Sequence, residues 1–330
     1  MARVPDRIRD TYFLGAGFSR SLNLPNTAEL LSEVHRLARE RGLAIDKHLR
    51  EAYRYFYPEE SSTFVPETVD FFSVLRAYED VASGLPGAFP YATLLSDLRL
   101  VIVRVLCNCT RDVAIPDGGW PNVDAIVRPG NVIITSNWDV LIEHYAGVRG
   151  IPLRLGGRPS NGHVTLIKLH GSVDWTTRHE RRPEWPSADF AAIRELQNTR
   201  PYSVSISGEP VLRIRAVENM TRSWQFIKAR TRRPLMVMMT QGKTVDLEPI
   251  LGMWEDAYYA LSATRHLRVI GYSMPPDDIE IRTLLRAGIA RGKTQHGRVT
   301  VINPETGVHV RVRTFVLRGA TSDYSAFAPE

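Results

Sequence analysis

Asn137, Asp139 and His170 are the side chains of this sequence best placed to do chemistry. Asn137 and Asp139 lie in Thr135-Ser136-Asn137-Trp138-Asp139, at the end of the apolar run 131–135. His170 lies in Lys168-Leu169-His170-Gly171-Ser172-Val173-Asp174-Trp175, behind the apolar run 164–169. A histidine at such a position can act as a general base near neutral pH. An asparagine there can hydrogen-bond a ribose hydroxyl or a water, and an aspartate can accept from an amide. Plain structural duties suit the same residues. Asn137 or Asp139 would cap a following helix, and a lone histidine often only packs.

Three further stretches end apolar runs in the same way. Gly15-Ala16-Gly17-Phe18-Ser19-Arg20 follows Thr11–Leu14. Glycines there let a backbone approach a pyrophosphate, whose charge suits a helix N-terminus. They also suit a tight turn with positive φ. The stretch is not G-x-G-x-x-G, because position 20 is Arg. Val269-Ile270-Gly271-Tyr272-Ser273 leads through Met274-Pro275-Pro276 to Asp277 and Asp278. It reads as a strand, a small-residue turn and an acid-capped helix, with Ser273 available to a phosphate or ribose oxygen. Val301-Ile302-Asn303-Pro304 ends another run, and Asn303 could receive an adenosine ribose.

The elements that would position these residues alternate. Strands are expected at 11–14, 131–135, 164–169, 235–239, 267–271, 299–302 and 308–316. Helices are expected from Asn26, with Glu29 completing a capping box, and at 140–145, 247–261 and 277–290. This alternation predicts an α/β fold with a doubly wound, mostly parallel sheet, whose ligands bind at the strand C-termini. Residues 45–112 carry helical stripes such as Phe71, Phe72, Val74 and Leu75, and are expected to form a helical insertion. Residues 176–233 read as irregular.

Composition bounds the remaining choices. The 330 residues carry 42 Lys plus Arg against 36 Asp plus Glu, a net charge of +6. Between Arg178 and Arg233 stand twelve cations and six acids, so the surplus belongs to that one segment. Such a stretch, with Trp185, Tyr202, Trp224 and Phe226 interleaved, could track a nucleic-acid backbone. A solvated insertion or a protein-contact surface is the favoured reading. No apolar run is long enough for a membrane span, and the start lacks a secretory h-region. The two cysteines, Cys107 and Cys109, cannot build a four-ligand metal site. A cytoplasmic protein without a bound metal is expected.

Taken in order, Gly15-Ala16-Gly17-Phe18-Ser19 with Leu24-Pro25, Ser136-Asn137-Trp138-Asp139, Lys168-Leu169-His170-Gly171-Ser172, Gly271-Tyr272-Ser273 and Asn303-Pro304 resemble the sirtuin-like family. The resemblance is to its bacterial, zinc-free branch. It implies a single Rossmann-like NAD-binding domain over residues 1–330. Gly15, Ala16, Gly17 and Ser19 would hold the pyrophosphate. Asn137 and His170 would serve the nicotinamide ribose as catalytic residues, and Asp139 the nicotinamide amide. Gly271, Ser273 and Asn303 would bind phosphate and adenosine ribose.

Departures from the deacylating members narrow the expected reaction. Those carry two Cys-x-x-Cys pairs after the histidine, whereas this chain has no cysteine beyond Cys109. Their Asp-Phe-Arg is Asn26-Thr27-Ala28 here, and their Gln-Asn-Ile-Asp is Ser136-Asn137-Trp138-Asp139. The Arg-rich 176–233 segment stands where the zinc module would be. The zinc-free branch is similar to anti-phage defence effectors that hydrolyse NAD to nicotinamide and ADP-ribose. The expected function is therefore a regulated NAD glycohydrolase, controlled by self-assembly into a homo-oligomer or by a separate sensor protein. Protein deacylation, ADP-ribosyl transfer and a catalytically silent NAD- or ADP-ribose-binding module are the alternatives.

Overall fold

A computed structural model describes residues 10–61, 63–82, 94–178, 202–206, 209–213, 232–240, 247, 250–276, 278–291, 299–316 and 319–330. Asp277 and most of the basic segment lie outside the described residues.

The main sheet has seven parallel strands: β1 (Thr11–Leu14), β2 (Val132–Thr135), β3 (Leu153–Leu155), β4 (Val164–Lys168), β9 (Leu267–Ile270), β10 (Val299–Ile302) and β11 (Thr321–Asp323). Their spatial order is β11-β10-β9-β1-β2-β4-β3. The central strands are buried on both faces, which is why they read as unbroken apolar runs. β1 pairs with β2 on one side and β9 on the other, Leu14 lying opposite both Thr135 and Ile270. The order reverses at the β1–β9 seam, and ligands of open α/β sheets bind outside such a reversal. One face is covered by α8 (Leu251–Ala263) and α9 (Ile279–Arg291). The other carries α6 (Pro121–Ile126) and α7 (Leu141–Val148).

Residues 176–178, which open the stretch expected to be irregular, end a strand instead, and 202–206, 209–213 and 232–233 are extended as well. β5 (Gly171–Arg178), β6 (Tyr202–Ile206), β7 (Glu209–Arg213) and β8 (Arg232–Met236) build a separate antiparallel sheet in the order β6-β7-β5-β8. Of the run expected as a strand of the parallel sheet at 235–239, Leu235 and Met236 instead end β8, an antiparallel partner of β5. Gly171 makes this possible. Its φ is +74°, and a Cβ there would stand 2.1 Å from the Leu235 carbonyl oxygen.

The 308–316 expectation is also corrected. Those residues belong to α10 (Thr306–Phe315), whose buried positions Val308, His309 and Val312 follow helical spacing. Valines at 308, 310 and 312 imitate a strand, but Val310 is exposed. The capping box at Asn26 and Glu29 forms as expected and opens α2 (Thr27–Glu40). α1 (Ala16–Arg20) follows β1 directly.

The helical insertion is built from α3 (Ile45–Phe56), α4 (Thr68–Ala82) and α5 (Leu94–Arg111). Its core, with Leu49, Phe71, Phe72 and Ile102, is continuous with Trp138, Val173 and Met238. The insertion therefore packs onto the small sheet and the β2–α7 loop.

α2 and α3 enclose a buried polar chain. His35 Nδ1 lies 3.2 Å from Asp46 Oδ1, and His35 Nε2 lies 2.8 Å from the Tyr53 hydroxyl. Asp46 as carboxylate only accepts, so Nδ1 donates and Tyr53 donates to Nε2. Burial holds the His35 pKa below its ordinary value, outweighing the raising effect of Asp46; Arg39 and Arg50 lower it further. The folded state thus favours neutral His35. Its stabilising contribution is complete above about pH 6.5 and is lost as the pH falls through 6.5 towards the lowered folded value. Thermal melts from pH 7.5 to pH 5 should show falling stability, and His35→Gln should flatten that slope. Equal slopes for the two proteins would refute this account.

Candidate functional site

A cavity of about 800 Å³ opens along the C-terminal ends of β1, β2, β4, β9 and β10. That size suits a small-molecule or cofactor site. Ala16, Gly17, Ser19, Asn137, Asp139, His170, Gly271, Ser273 and Asn303 all line it. Gly15, expected with them, does not line the cavity; it stands behind Asn137, its carbonyl accepting from Asn137 Nδ2 at 3.0 Å.

The glycines serve backbone contact across the seam. Gly15 and Gly17 do not have positive φ; Gly271 does, at +63°. A Cβ on Gly15 would lie 2.5 Å from Tyr272 Cα, and one on Gly17 would lie 2.8 Å from the Gly271 oxygen. One on Gly271 would lie 2.2 Å from the Phe18 nitrogen. Gly17 N–H donates to the Gly271 carbonyl at 2.8 Å, and Gly271 N–H to Ile302 at 3.1 Å. The tight turn expected at 15–17 is thus a close crossing of two loops. Met274, buried just beyond, also has positive φ, at 52°.

Asn137, Ser19 and Asp139 form one hydrogen-bonded set. Asn137 Nδ2 donates to Gly15 O and to Ser19 Oγ, each at 3.0 Å. Both amide protons are thereby taken, leaving Oδ1 as the atom that can accept from a ligand. Ser19 Oγ gives its one proton to Asp139 Oδ2 at 2.7 Å. In this arrangement Ser19 orients Asn137 and Asp139 rather than donating to a phosphate. Asp139 Oδ1 accepts at 3.0 Å from the N–H of Leu141, the first residue of α7, although the N-cap position itself is Val140.

His170 lies two residues beyond β4, is 3% exposed and lines the same cavity. Its carbonyl accepts from Val237 N–H at 2.9 Å, which fixes the backbone between the two sheets. Trp254 backs the imidazole, its ring centre 6.4 Å away, and anchors through Nε1 to Leu169 O at 2.9 Å. On the far side of the seam, the Ser273 carbonyl accepts twice from Arg311, at 3.0 and 2.8 Å. Asn303 Oδ1 accepts from Glu305 N–H at 2.9 Å, which starts α10.

Sequence reasoning missed several participants. Lys168 is fully buried at the end of β4. Its ammonium donates to the Asp139 carbonyl, to Ser172 Oγ at 2.7 Å and to Glu143 at 3.1 Å. It ties β4, β5 and the Asn137–Asp139 loop together. Breaking such a buried pair by removing one partner costs about 3–5 kcal/mol. A lysine after an apolar run signals only a strand end, so its partners were invisible. Arg20, paired with Glu29 at 2.8 Å, brings a cation to the cavity. Glu305 brings a carboxylate, and Glu67 and Asp70 bring the first turn of α4 to the wall. The insertion thus borders the site directly.

Among the described residues no group of His, Cys, Asp or Glu could hold a metal ion, and no helix is long and apolar enough to cross a membrane. No family model matches the sequence, and no curated protein matches it. Solved structures do. A Sir2 homologue bound to ADP-ribose is 14% identical, with 96% of this chain and 87% of that chain covered and a TM-score of 0.43. A structure described as the basis for the mechanism and regulation of Sir2 enzymes gives the same identity and coverage, with a TM-score of 0.41. A Sir2 complex with an inhibitor, 2′-O-acetyl-ADP-ribose and a deacetylated peptide is 13% identical, with 96% and 88% covered and a TM-score of 0.39.

Proposed function

We propose that this protein is a sirtuin-like NAD glycohydrolase that cleaves NAD to nicotinamide and ADP-ribose. The observation that carries the reading is the meeting of Asn137 and His170 in one cavity with Gly17, Ser273 and Asn303. These are the residues on which the sequence resembles the sirtuin-like family. NAD fits the donor set. Arg20 offers a cation to the pyrophosphate, Asn303 and Glu305 offer oxygens to the adenosine ribose, and Asn137 Oδ1 offers an acceptor to the nicotinamide ribose.

The bond that breaks joins ribose C1′ to the pyridinium nitrogen. Its electron pair goes to the ring, so nicotinamide leaves neutral without a strong acid. Positive charge develops on the ribose, and a water oxygen adds to C1′ as its proton passes to a base. Asn137 orients the ribose hydroxyl or that water. His170 accepts the proton from its buried position, while Gly15 and Ser19 hold the Asn137 amide in place. On this reading the enzyme serves as a regulated effector of anti-phage defence, switched on by self-assembly or by a sensor.

Purified protein should release nicotinamide and ADP-ribose from NAD over time, without a peptide, and faster per molecule at higher protein concentration. Release that requires an acyl-lysine peptide, with acyl transfer seen by mass spectrometry, would replace this reading with deacylation. Tight NAD binding by calorimetry without nicotinamide release would replace it with a silent binding module.

A further inference from the structure

Lys168 stands two residues before His170 and is 0% exposed. Its ammonium has three protons, and each meets an acceptor: the Asp139 carbonyl, Ser172 Oγ at 2.7 Å and Glu143 Oε1 at 3.1 Å. Glu143 lies in the first turn of α7, and its side chain is 11% exposed. Both charges of the pair are thus drawn almost fully out of water. Lys168, Ser172 and Glu143 do not line the cavity.

These bonds share one direction. Asn137 and His170 sit on different segments, the loop after β2 and the turn after β4. Lys168 reaches from the second segment to the carbonyl two residues beyond Asn137. Ser172 passes the link on, its Oγ donating to the Trp138 carbonyl at 3.3 Å. Val173 N–H donates to the same carbonyl at 3.0 Å, and Leu169 N–H donates to Thr135 O at 2.9 Å. Segment 135–139 is thereby stitched to segment 168–173.

A buried ion pair is a poor source of stability. The desolvation of two charges offsets their attraction, and an apolar pair of similar volume often does as well. Stability therefore does not account for a lysine at this position. We propose that Lys168 is a positioning residue of the reaction, its ammonium clamping the Asn137 loop to the His170 turn while Glu143 neutralises the buried charge. The inference rests on the NAD reading above, because it concerns how that site is held together. Lys168 takes no part in bond breaking. It fixes the separation of Asn137 and His170, and a displacement of about 1 Å between such groups can lower a rate about 100-fold.

Stability and rate should separate when both charges are removed together. Lys168→Met leaves Glu143 buried without its cation, and should lower both the melting temperature and nicotinamide release. Lys168→Met combined with Glu143→Gln removes both charges. It should regain most of the melting temperature while release stays about 100-fold down, in kcat rather than in KM for NAD. Glu143→Gln alone keeps the bonds of Lys168 to Asp139 and Ser172, and should lose only about tenfold. Hydrogen exchange reads the clamp without turnover: amides of 136–139 and 169–173 should exchange faster in the double variant, and those of β9 and β10 at the wild-type rate. A double variant that recovers rate along with melting temperature would overturn the proposal, and so would unchanged exchange in both segments. If the double variant does not fold, Ser172→Ala decides, since it keeps both charges. An approximately tenfold loss in kcat is expected there, and wild-type kcat would overturn the proposal. Wild-type protein that releases no nicotinamide would instead sink the NAD reading, and hydrogen exchange would then decide the clamp by itself.

Discussion

Gly271→Ala is expected to cost the fold about 4 kcal/mol or more, a size seen only when a named structural device is broken. Two costs add at this position. The residue has φ +63°, which for alanine carries a penalty of about 1–2 kcal/mol. The new Cβ would also lie 2.2 Å from Phe18 N, 2.5 Å from Gly17 C and 2.8 Å from Gly17 Cα. All three are backbone atoms, so no side-chain rotation relieves the overlap. The β1–α1 turn would have to move, taking the Gly17–Gly271 hydrogen bond with it. Against a typical folding stability of about 5–15 kcal/mol, this leaves a marginal protein. Gly147→Ala in α7 is the control: nothing lies within 4 Å of its Cβ and φ is not positive. There alanine should be neutral or gain up to about 1 kcal/mol of helix propensity. Chemical denaturation of both variants decides the matter, and a Gly271→Ala midpoint equal to that of wild type would refute the crossing as the reason for glycine.

Asn137→Ala and His170→Ala should each lower the rate of nicotinamide release from NAD by about 100-fold or more, the scale of losing one oriented polar group or one proton acceptor. Asn137 is only partly buried, so its truncation should leave the melting temperature close to that of wild type. Its effect should be on kcat, because the amide is held by Gly15 and Ser19 before any ligand arrives. Ser19→Ala should reproduce part of that loss by releasing both Asn137 and Asp139. Wild-type rates in both Asn137→Ala and His170→Ala would show that the bond is broken by other residues.

The parallel strands were legible because strands buried on both faces leave no polar gaps. Thr11–Leu14, Val132–Thr135 and Val164–Lys168 declare themselves in this way. Candidate residues were legible for the same reason: each follows such a run, and strand ends in this fold converge on one edge. Elements failed where local pattern and tertiary setting part. β5 carries Ser172 and Asp174 in full burial, so its polarity hid a buried strand. α10 presents valines at strand spacing, yet its burial is helical. The exposed edge strands β3 and β11 offer only three residues each. Lys168 owes its place to Asp139 and Glu143, partners distant in sequence that no local spacing records.

The seam between β1 and β9 also governs when the site can exist. Thr11 pairs with Val132 on one side and with Leu267 on the other, so the central strand is completed only by two long-range closures. Such non-local pairings form slowly, because loop entropy is lost before the contacts reward it. The floor of the cavity is the second closure itself, where Gly15 and Gly17 meet Gly271. A partly folded chain, even with β1, β2 and β4 in register, holds Asn137 and His170 over an open edge. The complete cavity therefore requires both closures at once.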